Sequence, residues 1–451
     1  MNMVLHDFPT CHSLSLLAYS DKMSIMHQQK KRIAVIGAGI AGLTCAYELQ
    51  KAGFDVVVLE KNSYVGGRMS SRVKDGVIFD LGADHLCDLY DEMKKYCQEF
   101  GITWEKMRFL KYGLSRGGQV IPIAQAVNRL SQFRLAVQYF FTKDVGDFFD
   151  LNDLADRDKN NAYDFMRLRV GKEVANYFVD AFTSTYQFHR ASEISLGALL
   201  GIMNSIKKNA SRWYLQRTKG GMQALPDAFA RHLNVQLNHH IDKLVCDSNQ
   251  CLVDDKSFDA VVLASTARAS LSIYQNPTDK QKKLLGSTQY ASTISVAFRI
   301  DRNLLPDYAI VWVPYVESEK ISGFVNESMK GEEVMRDGES LLCVWLHEDF
   351  AKSIMDKSDD EIFAQVKKEL LKVCHWFASE KQIHNHDLQR WPVAMPKFSQ
   401  GHLRLVRDFM ENGQGEQNVF LCGDYLNAPW TEGALRNGQK VARQITEKLA
   451  A

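Results

Sequence analysis

The pattern of apolar and polar positions changes character three times along the chain. Residues 33–36 form a short, wholly apolar run behind the charged lead-in Gln-Lys-Lys-Arg. Such a run predicts a strand covered on both faces, as in a parallel sheet. It meets Gly37-Ala-Gly-Ile-Ala-Gly42, then a helical pattern over 43–52 that Gly53 stops, then a second buried run at 55–60. This order and length match a β-turn-α-β mononucleotide-binding unit. Residues 73–81 alternate around Asp75-Gly76 and predict a hairpin.

From about 90 to 206 the periodicity is helical, clearest over 88–100, 124–141 and 171–186, with few strand signals. Strand-like text returns at 235–237, 243–247, 261–263, 293–300, 309–316 and 341–346, and a charged amphipathic helix follows at 359–378. The end repeats the opening: a strand at 418–422, Gly423-Asp424, a loop and a helix at 432–449. Strands of one type returning after a long helical stretch predict an α/β chain with a discontinuous Rossmann-type domain. Its expected segments are 31–90, 219–299 and 401–451. Segments 91–218 and 300–400 are expected to form a second, mixed α+β substrate domain, and 1–30 an N-terminal extension.

Composition narrows the picture. A chain of 451 residues exceeds one compact core. Its net charge of +1 provides no global field for nucleic acid. Nine cysteines without a C-x-x-C pair predict buried, reduced thiols and a cytoplasmic protein. The histidines show no ligand spacing, so no metal site is expected. No window approaches the roughly 18 consecutive apolar residues of a membrane span. Residues 1–22 lack the basic start of a secretory signal.

The chemistry concentrates at the two ends. Gly37, Gly39 and Gly42 stand as G-x-G-x-x-G between strand and helix. The first suits a tight turn, the second close approach of a pyrophosphate, the third packing of the helix on the sheet. Ile40 and Ala41 open that helix, whose N-terminus attracts negative charge. Alone, the motif leaves FAD and NAD equally open. Glu60, followed by Lys61, ends the second strand where a ribose diol would sit, though a solvated strand-end charge looks the same. Gly66-Gly67-Arg68 then offers a second close backbone approach and a guanidinium fork for a phosphate.

Residues 33–85 resemble the start of the flavin amine oxidase, phytoene desaturase and protoporphyrinogen oxidase superfamily. The likeness rests on the fingerprint, Glu60, Gly66-Gly67-Arg68 and Asp80-Leu81-Gly82-Ala83. It implies FAD as cofactor, with Gly82, Ala83 and Asp84 passing along the flavin ring. The second signature, Gly423-Asp424 and Thr431-Glu432-Gly433-Ala434, stands at the other end. The resemblance places Gly423 and Asp424 at the pyrophosphate and ribityl chain, and Trp430 and Thr431 at the helix opening that faces the flavin. It also implies a backbone contact from Ile241 to the adenine, and puts Ala264 at the end of a strand returning to the cofactor.

Within that superfamily, Lys219-Gly-Gly-Met-Gln-Ala-Leu-Pro226 and the WPVAMPKFSQGH run of 391–402 are most similar to the protoporphyrinogen oxidase branch. Asp80-Leu-Gly-Ala-Asp-His departs from that branch, and the 431–438 segment is nearer to the desaturases. Trp391 and Tyr425, with Trp430, are candidates for an aromatic sandwich around a flat or amine substrate, with core packing as the alternative. No catalytic side chain is assigned. The expected activity is hydride transfer from a C–H of an amine, polyene or porphyrinogen-like small molecule to flavin N5, with reoxidation by oxygen or another acceptor. The alternatives are an NAD-dependent dehydrogenase and a non-redox flavin- or nucleotide-binding protein.

Overall fold

Five of the apolar runs assemble edge to edge. In the computed structural model, which describes residues 30–106, 112–141, 147, 149–329 and 338–450, β1 (Arg32–Ile36) is the centre of an all-parallel sheet. On one side lie β2 (Asp55–Leu59) and β3 (Asn234–Gln236); on the other lie β4 (Ala260–Leu263) and β5 (Val419–Leu421). Val35 stands opposite Val58 and Val262, so the register aligns apolar positions across the sheet. Both faces are covered, which is why these strands carry no alternation.

One face, through Ile33, Val35, Val56 and Val58, packs in a core with helices α1 (Ile40–Lys51) and α2 (Thr431–Ala450). The other, through Ala34, Ile36, Leu59 and Leu263, meets an antiparallel meander of Leu244–Cys246, Cys251–Val253 and Lys256–Phe258. Where α2 crosses α1, a Cβ on Gly438 would lie 2.4 Å from the Ala41 carbonyl oxygen. The two ends of the chain are therefore joined backbone to backbone. The meander corrects one expectation: Cys246 and Cys251, paired across two adjacent strands, form a disulfide and are not reduced thiols. The six other described cysteines are buried.

The second sheet has seven strands. Their order is His384–Pro396, Tyr290–Asp301, Glu339–Leu346, Ile321–Asn326, Ile310–Trp312, Tyr112–Arg116 and Gln119–Pro122. All neighbours are antiparallel except Ile310–Trp312 beside Tyr112–Arg116. Two expectations shift here. The stretch expected to be helical contributes a hairpin at 112–122. The strand Tyr290–Asp301 lies wholly in this sheet, so the boundary drawn after 299 falls inside it. Helix Asp359–Val373 covers the sheet, started by a reciprocal Ser358–Glu361 cap, and its Ile362, Phe363, Val366 and Leu370 pack with Phe298 and Phe324. The expected extension at 1–30 lies outside the described residues except for Lys30. No described helix is long and apolar enough to cross a membrane.

Candidate cofactor and substrate site

The carboxyl ends of the parallel strands bring separate loops onto one edge. Gly37 N–H donates to the Leu59 carbonyl, Ala264 N–H to Ile36 and Cys422 N–H to Leu263, each at 2.9 Å. The three fingerprint glycines differ in what a side chain would meet. At Gly37 (φ +110°) a Cβ would sit 2.9 Å from the Ala264 oxygen, and at Gly42 it would sit 2.2 Å from the Gly37 oxygen. At Gly39 it would meet nothing within 4 Å. Two glycines are required by backbone packing, and the third fronts open space. No side chain caps α1 there, so its first-turn amides and positive dipole end remain available to an anion.

A second turn leans on this loop. Gly66 N–H donates to the Ala38 carbonyl at 2.8 Å, and the nearest atom to a Cβ on Gly67 would be Gly39 Cα at 3.7 Å. On its far side, Ala83 N–H donates to the Arg68 carbonyl at 2.9 Å, and a Cβ on Gly82 would lie 2.4 Å from that oxygen. The fork of Arg68, read from sequence as a phosphate ligand, is instead closed on Asp424: NH1 and NH2 reach its two oxygens at 2.7 and 3.0 Å. NH1 also donates to the Ala394 carbonyl at 2.7 Å. Burial disfavours the guanidinium charge, but Asp424 more than offsets this and holds the Arg68 pKa above its ordinary value. Arg68 thus ties the N-terminal turn to the C-terminal signature.

Glu60 is buried and accepts from the amides of Ala38 (2.8 Å) and Asn62 (2.9 Å). Each carboxylate oxygen keeps a lone pair for a hydroxyl donor. Lys61 beside it is exposed. His239 N–H donates to the Glu60 carbonyl at 2.8 Å, bringing the 239–241 segment alongside. The side chain of Ile241 is buried, while its amide has no protein partner among the described residues. At the other end Gly423 (φ +154°) donates its N–H to Asn437 Oδ1 at 2.9 Å, and α2 opens at Thr431. Glu432 is fully buried in the first turn. It accepts from the amides of Glu92 and Met93 at 3.0 Å and from Arg436 Nε at 2.8 Å, so it caps the helix Asp91–Glu99. Burial raises its pKa against the pull of Arg436.

Between this edge and the seven-stranded sheet stands an aromatic wall. Phe178, Phe182 and Tyr186 share one side of a helical stretch at i, i+4 and i+8, and their segment includes a π-helical turn over Ala175–Asp180. Trp312, from the large sheet, packs edge-on to all three at 5.5–6.0 Å and donates its Nε1 to the Tyr186 hydroxyl at 3.3 Å. Tyr186 in turn contacts Trp430 at 6.4 Å and His85 at 6.0 Å. The His85 Nδ1 is held by Asp84 at 2.5 Å. Trp391 lies at the same junction, its Nε1 donating to the Leu81 carbonyl at 2.7 Å. Tyr425 does not join them: it is buried in the core that includes Ile36, Leu263 and Leu426. The segment 177–195, which resembles the pocket segment of the protoporphyrinogen oxidase branch, holds Phe178, Phe182 and Tyr186, but none of the three was singled out, and Trp312 and His85 were given no role. The helix at 171–186 was legible, but which of its faces met the cofactor edge was not.

The open face of Gly39, the uncapped start of α1, the spare lone pairs of Glu60 and the unpaired Ile241 amide all fit an FAD laid across this edge. Comparison with known proteins agrees. Residues 40–446 match the model of the flavin containing amine oxidoreductase family. Coproporphyrinogen III oxidase of Staphylococcus aureus (strain NCTC 8325 / PS 47) is 21% identical over 472 residues, covering 93% of this chain and 100% of that one. The mitochondrial protoporphyrinogen oxidase of Nicotiana tabacum is 24% identical over 301 residues, 53% of this chain and 58% of its own length. With that relative the match therefore spans little more than half. Among solved structures, putrescine oxidase bound to putrescine shares the fold with a TM-score of 0.74 at 18% identity, over 93% of this chain and 99% of that one. Cyclohexylamine oxidase from Brevibacterium oxydans IH-35A does so with a TM-score of 0.75 at 16% identity, over 94% and 100%. The chain belongs to the flavin-containing amine oxidoreductase family and is an FAD-dependent oxidoreductase.

Proposed function

We propose that the chain dehydrogenates a flat, largely apolar substrate of the porphyrinogen type. The observation that carries this reading is the aromatic wall of Phe178, Phe182, Tyr186 and Trp312, which meets the cofactor edge at Trp430 and His85. Edge-to-face rings of this kind offer broad apolar area and exclude water from a reacting C–H. The full-length match to a coproporphyrinogen oxidase supports the same choice. When bound, FAD supplies a ring that accepts a hydride at N5.

The residues of the chain do the rest. The α1 N-terminus and Glu60 would hold the diphosphate and adenosine portions, and the Arg68–Asp424 pair fixes the turn between them and the C-terminal signature. The opening of α2 favours negative charge at the pyrimidine edge. Burial raises the Tyr186 phenol pKa, so it stays protonated and acts as a polar tip in an apolar wall. The proton that leaves the substrate is assigned in this reading to His85, whose Nδ1 is held by Asp84 and whose ring lies against Tyr186. The test is anaerobic mixing of the purified yellow protein with coproporphyrinogen III, protoporphyrinogen IX, a carotenoid precursor, putrescine and cyclohexylamine. Flavin bleaching by a porphyrinogen is the expected result. Bleaching only by the amines or only by the polyene would overturn the substrate assignment.

A further inference from the structure

At the end of the aromatic wall the backbone turns left-handed on a residue ill suited to it. The helix Ala181–Gln187, which carries Phe182 and Tyr186, ends on Phe188 at φ +67°. Seven described non-glycine residues have positive φ; six are Asp, Asn or Gln, and the seventh is Phe188. A helix end of this kind ordinarily takes glycine, because a Cβ in the left-handed region crowds the backbone. Two backbone bonds keep Phe188 there. Its N–H donates to the Ser184 carbonyl at 3.0 Å, and its own carbonyl accepts from Glu348 N–H at 3.0 Å. Strain held from both sides in this way is typical of positions kept for function.

Deep burial is not what the ring gains. Phe188 is only half-buried, with Trp345 edge-on to it at 6.4 Å. The large sheet shows where that ring stands. Trp345 lies opposite Ser295, and Thr293, two residues along the same strand, lies opposite Trp391. Paired residues share a face, and so do alternate residues of one strand. The two indoles therefore rise on one side of the sheet with the small side chains of Ser295 and Thr293 between them. Trp391 bounds one margin of this trough, tied to the Leu81 carbonyl at the cofactor edge. Phe188 and Trp345 bound the other. Tyr186, two residues before Phe188, reaches Trp430 and His85. Phe188, Tyr186 and Trp391 are all half-buried against the core that includes Trp345.

We infer that Phe188 is a specificity-determining residue: its ring is a stacking face for the flat substrate, and the strained turn exists to place it. The inference rests on the reading of the site given above. The test compares Phe188→Gly, Phe188→Leu and Phe188→Tyr with the parent, all flavin-loaded. The measurements are melting temperature, flavin content, equilibrium binding of coproporphyrin III and steady-state kinetics with coproporphyrinogen III. Glycine suits the left-handed turn, so Phe188→Gly should keep its flavin and melt no lower than the parent. It should nevertheless bind coproporphyrin III about tenfold more weakly and raise KM by a similar factor, with kcat little changed. Phe188→Leu keeps apolar bulk without a flat ring and should show the same loss, whereas Phe188→Tyr should bind as the parent does. A leucine variant that binds like the parent would overturn the proposal. So would a glycine variant with a lower melting temperature and unchanged KM, which would make the ring a packing residue. Should the parent bind no porphyrin and be bleached only by putrescine, cyclohexylamine or a carotenoid precursor, the substrate assignment falls. An unchanged KM of Phe188→Gly for that compound would then overturn the role of Phe188 as well.

Discussion

The two halves of the proposed site are made of different material. On the nucleotide side, contacts run backbone to backbone: Gly37 against Ala264, Gly42 against Gly37, Gly82 against Arg68 and Gly438 against Ala41. On the substrate side they run ring to ring, through Phe178, Phe182, Tyr186, Trp312 and Trp430. A site made of backbone recognises what is common to every FAD and tolerates almost no added volume. A site made of side chains can be reshaped one residue at a time. Damage on the first side should therefore be all-or-none, and damage on the second graded and confined to substrate.

The sharpest break should come at Gly42. In Gly42→Val the new carbon would stand 2.2 Å from a main-chain oxygen that cannot move without opening the fingerprint turn. We expect protein without flavin, read from the ratio of absorbance at the flavin band to that of protein. Next comes Arg68→Ala, which strands Asp424 buried and unpaired and should cost about 3–5 kcal/mol. A fall in both melting temperature and flavin content is expected; a loss of flavin with unchanged melting temperature would make Arg68 a ligand of the cofactor and not a tie between chain ends.

Tyr186→Ala should separate the halves. Flavin content should hold, while kcat/KM falls by about tenfold, the loss of one ring contact and its packing. If flavin is lost as well, the wall supports the cofactor and the contrast fails. The smallest effect concerns pH. His189 and His347 are buried, and desolvation lowers their pKa values to about 4 and about 3, with Glu193 opposing the shift at His189 and Arg190 deepening it at His347. An unfolded chain takes up protons on both near pH 6.5, whereas the folded one does not. Between about pH 6.5 and 4 the unfolded state binds more protons, so stability falls as the solution is acidified. Melting temperatures from pH 7.5 to 5 should show this decline, and His347→Phe, which keeps a ring against Tyr315, should flatten it.

The same contrast explains what could be read from the sequence. β1, α1 and β2 were legible because both faces of the strands are covered and the glycines between them answer to fixed geometry. Strand His384–Pro396 was not, because it is an edge strand whose Asn385, Asp387, Gln389 and Arg390 interrupt any apolar run. The hairpin at 112–122 carried a signal that passed unread: Gly117-Gly118, both at positive φ, the signature of a two-residue turn. Tyr425 and Tyr186 show the limit for site residues. Both are aromatic and near motifs or helices, yet one fills the core behind the sheet and the other faces the cofactor edge, a choice made by tertiary packing.

The crossing of α2 over α1 has a consequence in time as well as in space. The first helix of the nucleotide fold leans on Gly438, and one of the sheet's two outer strands is Val419–Leu421. A ribosome must make the whole of the second sheet before either partner exists. The nascent chain must wait with the apolar faces of residues 32–51 uncovered, and a complete cofactor edge waits on residues 419–438. A chain released before the helix Thr431–Ala450 is made would leave the ribosome with neither flavin nor a finished nucleotide fold.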